Sequence, residues 1–113
     1  MSKVILTVSS RKDVTARALA AFRGETQGAV ISFSSPELLW QTLSKKRWEL
    51  LKAMVGRGPL TIRGLAREVE RDVKGVHSDI HRLLNAGLVE RTDTGQVLFP
   101  YDAVHVDFEL QAA

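Results

Sequence analysis

Two runs of apolar residues in the second half of the chain recur at intervals of three and four, which is typical of two amphipathic helices. The first helix is predicted to begin after Thr61, whose hydroxyl can cap it, and to run to residue 69. The polar turn Glu70-Arg71-Asp72 follows, and its aspartate can cap a second helix over residues 73–86. The expected buried residues are Ile62, Leu65, Ala66 and Val69 in the first helix and Val73, Val76, Ile80, Leu83 and Leu84 in the second.

A β-hairpin is predicted directly after the second helix. Gly87 is suited to ending that helix, and residues 88–92 and 96–99 are short strand-like segments. Asp93-Thr94-Gly95 joins them, and its glycine supplies the positive φ that a tight hairpin requires. Helix, turn, helix and hairpin in this order predict a winged helix-turn-helix, whose second helix enters a DNA major groove.

The outward face of that second helix has the composition of a recognition surface. It contains donors and small residues that could approach base edges and phosphates. Gly75 costs about 1 kcal/mol of helix propensity, which either a close approach to DNA or simple tolerance near the helix start would explain. Asp79 argues against DNA binding unless its side chain turns aside or accepts from a cytosine amine. The residues left outward are Lys74, Gly75, His77, Ser78, His81, Arg82 and Asn85, and Arg91, Thr94 and Gln96 of the hairpin could meet a backbone or minor groove.

The chain before these helices begins with a predicted strand, helix and strand. Lys3–Val8 and Ala29–Phe33 have β-type composition. Ser10 and Asp13 resemble a capping box at the start of a helix over residues 11–23. The apolar face of that helix would consist of Val14, Ala18, Leu19 and Phe22.

Two more helices are predicted between this extension and the helix-turn-helix. Ser35-Pro36 can begin the first, and Ser44 can cap the second, over residues 45–55. Positive charge at Lys45-Lys46-Arg47 is unfavourable to the helix dipole, so these residues either contact a DNA phosphate or form a solvated surface. The expected buried residues are Leu38, Leu39, Trp40 and Leu43, then Trp48, Leu51, Met54 and Val55.

Residues 104–110 alternate strictly between apolar and polar side chains, which predicts a half-buried strand outside the hairpin. Lys3–Val8 is its expected partner, either within the chain or across a dimer. The expected fold class is therefore α+β. Three parts are predicted: a β-α extension over residues 1–34 that could serve in dimerisation, a winged helix-turn-helix over 35–103, and a C-terminal strand and tail over 104–113.

Composition narrows the class of protein. A chain of 113 residues corresponds to about one domain, and 44% hydrophobic and 26% charged residues are ordinary globular values. The absence of cysteine excludes disulfides, a thiolate zinc site and a cysteine nucleophile. No apolar run is long enough to span a bilayer, and no signal-peptide core follows the first charges, so we expect a cytoplasmic protein without membrane contact.

Charge is distributed unevenly along the chain. All 16 lysines and arginines precede residue 92, whereas the remainder contains four acidic residues, Asp93, Asp102, Asp107 and Glu109. A basic body suits phosphate contact, because each neutralised phosphate releases counterions, and the acidic end would then lie elsewhere. Uneven surface charge without functional consequence is the other interpretation.

Catalytic and metal chemistry have little support in the sequence. No Gly-rich phosphate loop, nucleophile elbow or paired carboxylates in a cleft are visible, so we expect neither an enzyme nor a cofactor. His77 and His81 have a spacing that could ligate zinc, but Ser78 stands where a zinc-protease helix has its glutamate. His105 is the remaining histidine, and we predict no metal site.

Three segments carry a resemblance to known regulators: SPELLWQTLSKKRWELLKAM, GPLTIRGLAREVERDVKGVHSDIHRLLNAGLVER and PYDAVHVDFEL. With them, the chain resembles MarR- or ArsR-type winged-helix regulators, and more narrowly a family of prokaryotic DNA-binding proteins that includes TumA-like antitoxins. The resemblance implies a homodimer that binds operator DNA and represses its own operon, and for antitoxin members the neutralisation of a cognate toxin. It implies that the DNA-facing residues are Arg71, Lys74, His77, Ser78, His81 and Arg82.

A winged helix that binds protein rather than DNA is the competing interpretation, because fold alone does not assign function. The basic residues on the outward helix face favour DNA. No residues that would contact a toxin are identified by the sequence.

Overall fold

A computed structural model describes residues 2–8 and 29–108 of the chain. These residues form an α+β structure with helices, a parallel sheet and a small antiparallel pair. None of the helices in the described ranges has the length and apolar character needed to cross a bilayer. The elements in chain order are β1 (Lys3–Val8), β2 (Ala29–Phe33), α1 (Pro36–Thr42), α2 (Lys45–Met54), α3 (Ile62–Glu68), α4 (Val73–Asn85), β3 (Glu90–Arg91), β4 (Val97–Leu98) and β5 (Ala103–Asp107).

The chain divides into two compact units. One contains the parallel sheet and most of α1, and the other is Thr42–Asp102. Helices α2, α3 and α4 and the hairpin β3–β4 all belong to Thr42–Asp102, so the predicted helix-turn-helix residues are held by one set of packed elements.

β1 is the central strand of the parallel sheet. It pairs with β2 on one side and with β5 on the other, with Val4 opposite Ala29 and Val104. Val4 and Leu6 are fully buried, as is usual for the central strand of a parallel sheet. The predicted partnership of β1 and the C-terminal strand is therefore confirmed, and it forms within the chain. The predicted helix over 11–23, with its capping residues Ser10 and Asp13, lies outside the described residues, as does the end of the strand predicted to reach residue 110.

The buried face of α1 is narrower than predicted. Leu39 is buried in α1, as is Leu43 just after its end, whereas Leu38 and Trp40 are 44% and 55% exposed. A helix advances about 100° per residue, so the neighbours of Leu39 project away from the stripe that it defines. The prediction that Leu38 and Trp40 are buried was wrong. The Trp40 ring instead packs edge-on against Phe108, with the ring centroids 5.7 Å apart.

The start of α2 is confirmed, but its buried face is rotated from the prediction. The Ser44 hydroxyl accepts a hydrogen bond from the Arg47 amide and so caps the helix. Leu50, Leu51 and Met54 are buried. Trp48 and Val55 are 38% and 37% exposed, so their predicted burial was wrong, and Val55 has extended backbone dihedrals because the helix has ended there.

Side-chain caps set the start of α3 and of α4, as predicted. Thr61 Oγ1 accepts from the Gly64 amide, and Asp72 accepts from the Gly75 amide. Between the helices Glu70 has a φ of 56°, the left-handed region, which reverses the chain within a short turn. The core of this unit includes Leu65, Ala66, Val76, Ile80 and Leu83.

Val73 departs from the prediction, because it is 42% exposed rather than buried. It is the first residue of α4, where less than a full helical turn is available to hold it against the core. The helix ends before Gly87, whose φ of 81° is the conformation predicted for it.

The predicted hairpin is present but its paired strands are short. β3 and β4 are antiparallel with Arg91 opposite Val97, and Gly95 in the turn has a φ of 83°. Leu60, just before α3, makes two backbone hydrogen bonds with Val97, each 2.8 Å long. This bridge attaches the α2–α3 connection to β4, and the sequence pattern did not reveal it.

Candidate nucleic-acid interface

One stripe along α4 presents only polar and basic side chains to solvent. Burial of Val76, Ile80 and Leu83 at intervals of four and three fixes the rotation of the helix. The opposite positions follow the same period and are all exposed, which agrees with the phase predicted from the sequence. The stripe, named here the α4 stripe, consists of Lys74, His77, Ser78, His81, Arg82 and Asn85.

Asp79, the one acidic residue of α4, is turned away from the α4 stripe by two arginines. Its Oδ1 accepts from Arg47 Nε at 3.1 Å, and its Oδ2 accepts from Arg71 Nη2 at 2.7 Å. The side chains of Asp79, Arg47 and Arg71 are only 13%, 16% and 21% exposed. The ion pairs connect α2 and the α3–α4 turn to α4, and they remove the negative charge from the outward surface.

Arg71 therefore lies in a different place from the other residues predicted to face DNA. Its Nη2 is engaged with Asp79, and its Nη1 is buried without a hydrogen-bond partner. Its guanidinium serves as an internal contact between the turn and α4.

Arg47 is internal, so the expectation that it contacts a DNA phosphate or lies on a solvated surface was wrong for this residue of the Lys45–Arg47 run. Its ion pair could not be read from the sequence, because the two partners are 32 residues apart. The spacing of Arg47 to Leu50, Leu51 and Met54 would have placed it on the buried stripe of α2. A second bond, from its Nη1 to the Thr42 carbonyl at 3.3 Å, also satisfies the guanidinium.

Gly75 occupies a crowded position within the protein. A Cβ at this position would lie 3.0 Å from Asp72 Oδ1 and 3.3 Å from Arg71 Nη2. The absence of a side chain thus leaves room for both the helix cap and the arginine that holds Asp79.

His77 and His81 are adjacent on the α4 stripe. Their Nε2 atoms are 3.2 Å apart, and the ring centroids are separated by 4.3 Å with the planes inclined at 45°. Within the described ranges, no group of three or more His, Cys, Asp or Glu side chains is arranged to hold a metal ion. His105 lies on β5, in the other compact unit.

The hairpin residues predicted to meet DNA lie on β3 and in the turn. Arg91 is exposed, and Thr94 is exposed beside the half-buried Gln96. The Thr94 hydroxyl lies 3.0 Å from that of Thr92 and donates to Gln96 Oε1 at 3.4 Å. These bonds hold the turn in one shape and leave Arg91 as its basic group.

Lys45 and Lys46 are exposed at the start of α2, where they line an open groove of about 630 Å³ together with residues at the end of α3.

Near the other end of α2, an exposed arginine, Arg57, donates two hydrogen bonds of 2.7 Å to the Glu68 carboxylate. These bonds lower the pKa of Glu68 and raise that of Arg57.

A family model described as HVO_A0114 matches residues 42–106, more than half of the chain. The matched segment contains α2, α3, α4 and the hairpin, and therefore every residue of the α4 stripe. No curated protein and no solved structure matches the chain.

Proposed function

The chain belongs to the HVO_A0114 family, and we propose that Thr42–Asp102 is a winged helix-turn-helix that binds double-stranded DNA. The order of elements supports the proposal: α2, the α3–α4 pair with its tight turn, then the hairpin. The bridge between Leu60 and Val97 supports it as well, since it gives the hairpin a third strand segment against which to lie. In this proposal α4 is the recognition helix and β3–β4 is the wing.

The observation that carries the proposal is the charge on the two sides of α4. The α4 stripe contains Lys74 and Arg82 and no acidic residue, while Asp79 is held inward by two arginines. A carboxylate on a DNA-facing surface would repel phosphates, so its withdrawal leaves a surface suited to a polyanion.

The side chains of the stripe divide into two roles. Lys74 and Arg82 neutralise phosphates, and the Ser78 hydroxyl and the histidine rings are short enough to reach base edges in the groove. Arg91 of the wing contacts the backbone beside the groove. Thr94 and Gln96 stabilise the turn of the wing and offer polar contacts to the same DNA strand.

The biological role that fits such a domain is a transcriptional regulator that represses from an operator. A homodimer would supply two recognition helices for paired half-sites. The resemblance to TumA-like proteins suggests an antitoxin that neutralises a toxin encoded beside it. Co-expression with the neighbouring reading frame would test this refinement: relief of toxicity supports it, and a harmless neighbour contradicts it.

Fluorescence anisotropy with a duplex taken from upstream of the gene tests DNA binding. Wild-type protein is expected to bind with a steep salt dependence. Lys74→Ala and Arg82→Ala are each expected to reduce the slope of log K against log salt by about one, the loss of one phosphate contact. Lys52→Ala is the matched control, because it removes the same charge from α2, where Lys52 pairs with Glu49.

Absence of wild-type binding at low salt would contradict the proposal and favour a protein-binding winged helix. Equal losses in Lys52→Ala and Lys74→Ala would show that net charge, and not the α4 stripe, determines the affinity. Far-UV circular dichroism of each variant establishes that the fold is retained.

A further inference from the structure

The two histidines of the α4 stripe place their Nε2 atoms close together. They stand one helical turn apart, both rings are exposed, and the Nε2 atom of His77 is 3.2 Å from that of His81. Two imidazole nitrogens bound to one tetrahedral zinc ion at about 2.0–2.1 Å are about 3.3 Å apart. The backbone and the side-chain rotamers already hold the two nitrogens at close to that separation.

We propose that His77 and His81 form a chelating site on α4 for a divalent cation of the Zn²⁺, Ni²⁺ or Cu²⁺ type. The two Nε2 atoms are the protein ligands, and water completes the coordination. This site is independent of whether α4 binds DNA. The sequence predicted no metal site. The separation of the two nitrogens, on which the proposal rests, cannot be derived from the spacing of the residues alone.

The positions of the protons on the two rings are compatible with metal binding. At 3.2 Å, one neutral ring donates its Nε2–H to the Nε2 lone pair of the other. A bound cation needs both lone pairs, so the donating ring changes tautomer and carries its proton on Nδ1. The neutral pair therefore binds the cation without net release of a proton.

The nitrogen ligands determine which class of cation can bind. Lys74 lies one turn before His77, and Arg82 follows His81, so the exposed charged neighbours on α4 are basic and do not attract a cation. Asp79 is held by two arginines and is not available as a ligand. Binding must then depend on the bond between imidazole and metal, which is strong for Zn²⁺, Ni²⁺ and Cu²⁺ and weak for Mg²⁺ and Ca²⁺.

Titration of the full chain with Zn²⁺, followed by NMR of the imidazole nitrogens and by calorimetry, tests the site. The expected result is one Zn²⁺ per chain, with shifts at Nε2 of His77 and His81 and none at His105. His77→Gln and His81→Gln are each expected to weaken binding by about tenfold or more, because each leaves a single ligand and loses the chelate effect. Mg²⁺ is expected to cause no shift.

Two variants separate chelation from weak binding by individual histidines. His105→Gln is expected to bind Zn²⁺ as the wild type does. The double variant His77→Gln/Asn85→His again places two histidines four residues apart on α4 and is expected to restore binding. Equal, weak shifts at all three histidines, or unchanged affinity in His77→Gln, would overturn the proposal.

Discussion

Replacement of Asp79 by asparagine is expected to destabilise Thr42–Asp102. The carboxylate accepts hydrogen bonds of 3.1 and 2.7 Å from Arg47 and Arg71. A hydrogen bond to a charged group contributes about 1.5–3 kcal/mol. Because the arginine side chains keep 16% and 21% of their exposure, they can turn in part to water. Two such bonds correspond to about 3–6 kcal/mol, and the partial exposure lowers the expected loss to about 2–4 kcal/mol.

Urea unfolding followed by circular dichroism measures this loss. In thermal unfolding, at about 4–8 °C per kcal/mol for a domain of this size, the melting temperature is expected to fall by roughly 8–32 °C. Asp93→Asn is the matched control, since Asp93 is exposed in the hairpin turn and its change should have an effect of no more than about 0.5 kcal/mol.

The double variant Asp79→Asn/Arg71→Ala shows whether the loss comes from the ion pair. Arg71 is an uncompensated cation after Asp79→Asn, so removing both is expected to cost less than the sum of the two single changes. A loss of less than about 0.5 kcal/mol in Asp79→Asn, or additive single losses, would refute the interpretation that these residues hold α4 in place.

Two further predictions concern Gly75 and the exposed ion pair. At an uncrowded helix position, alanine would stabilise the fold by about 1 kcal/mol relative to glycine. Gly75→Ala is instead expected to lower the melting temperature, because its Cβ would crowd Asp72 and Arg71. A higher melting temperature would contradict this. Since Arg57 lowers the pKa of Glu68, their pair stabilises the fold above the ordinary glutamate pKa and ceases to do so as the pH falls through the lowered value. An NMR titration is expected to show Glu68 titrating at higher pH in Arg57→Ala, and identical titration in both proteins would contradict the assignment.

Much of the local structure was predictable, because its causes are local. Ser44, Thr61 and Asp72 each satisfy an amide three residues ahead, so short sequence spacing was enough to place three helix starts. The same holds for Gly87 and Gly95, whose positive φ values are required where a helix ends and where a hairpin turns.

Burial and long-range contacts were less predictable. Trp40, Trp48 and Val73 are apolar and lie near helical stripes, but the orientation of each helix in the fold leaves them exposed. The bond between Arg47 and Asp79 spans 32 residues, and no periodicity in the sequence records it. The alternation of the last strand predicted a strand, and β1 was its expected partner. It did not predict that the two would pair in parallel and within the chain.

NMR of the ¹⁵N-labelled chain with an upstream DNA duplex tests the central proposal most directly. At low salt, the largest amide shifts are expected along the α4 stripe, at Lys74, His77, Ser78 and Arg82, with a second group near Arg91 in the hairpin. Shifts concentrated instead around Leu38 and Trp40, or no shifts at low salt, would contradict the proposal that α4 is a DNA recognition helix.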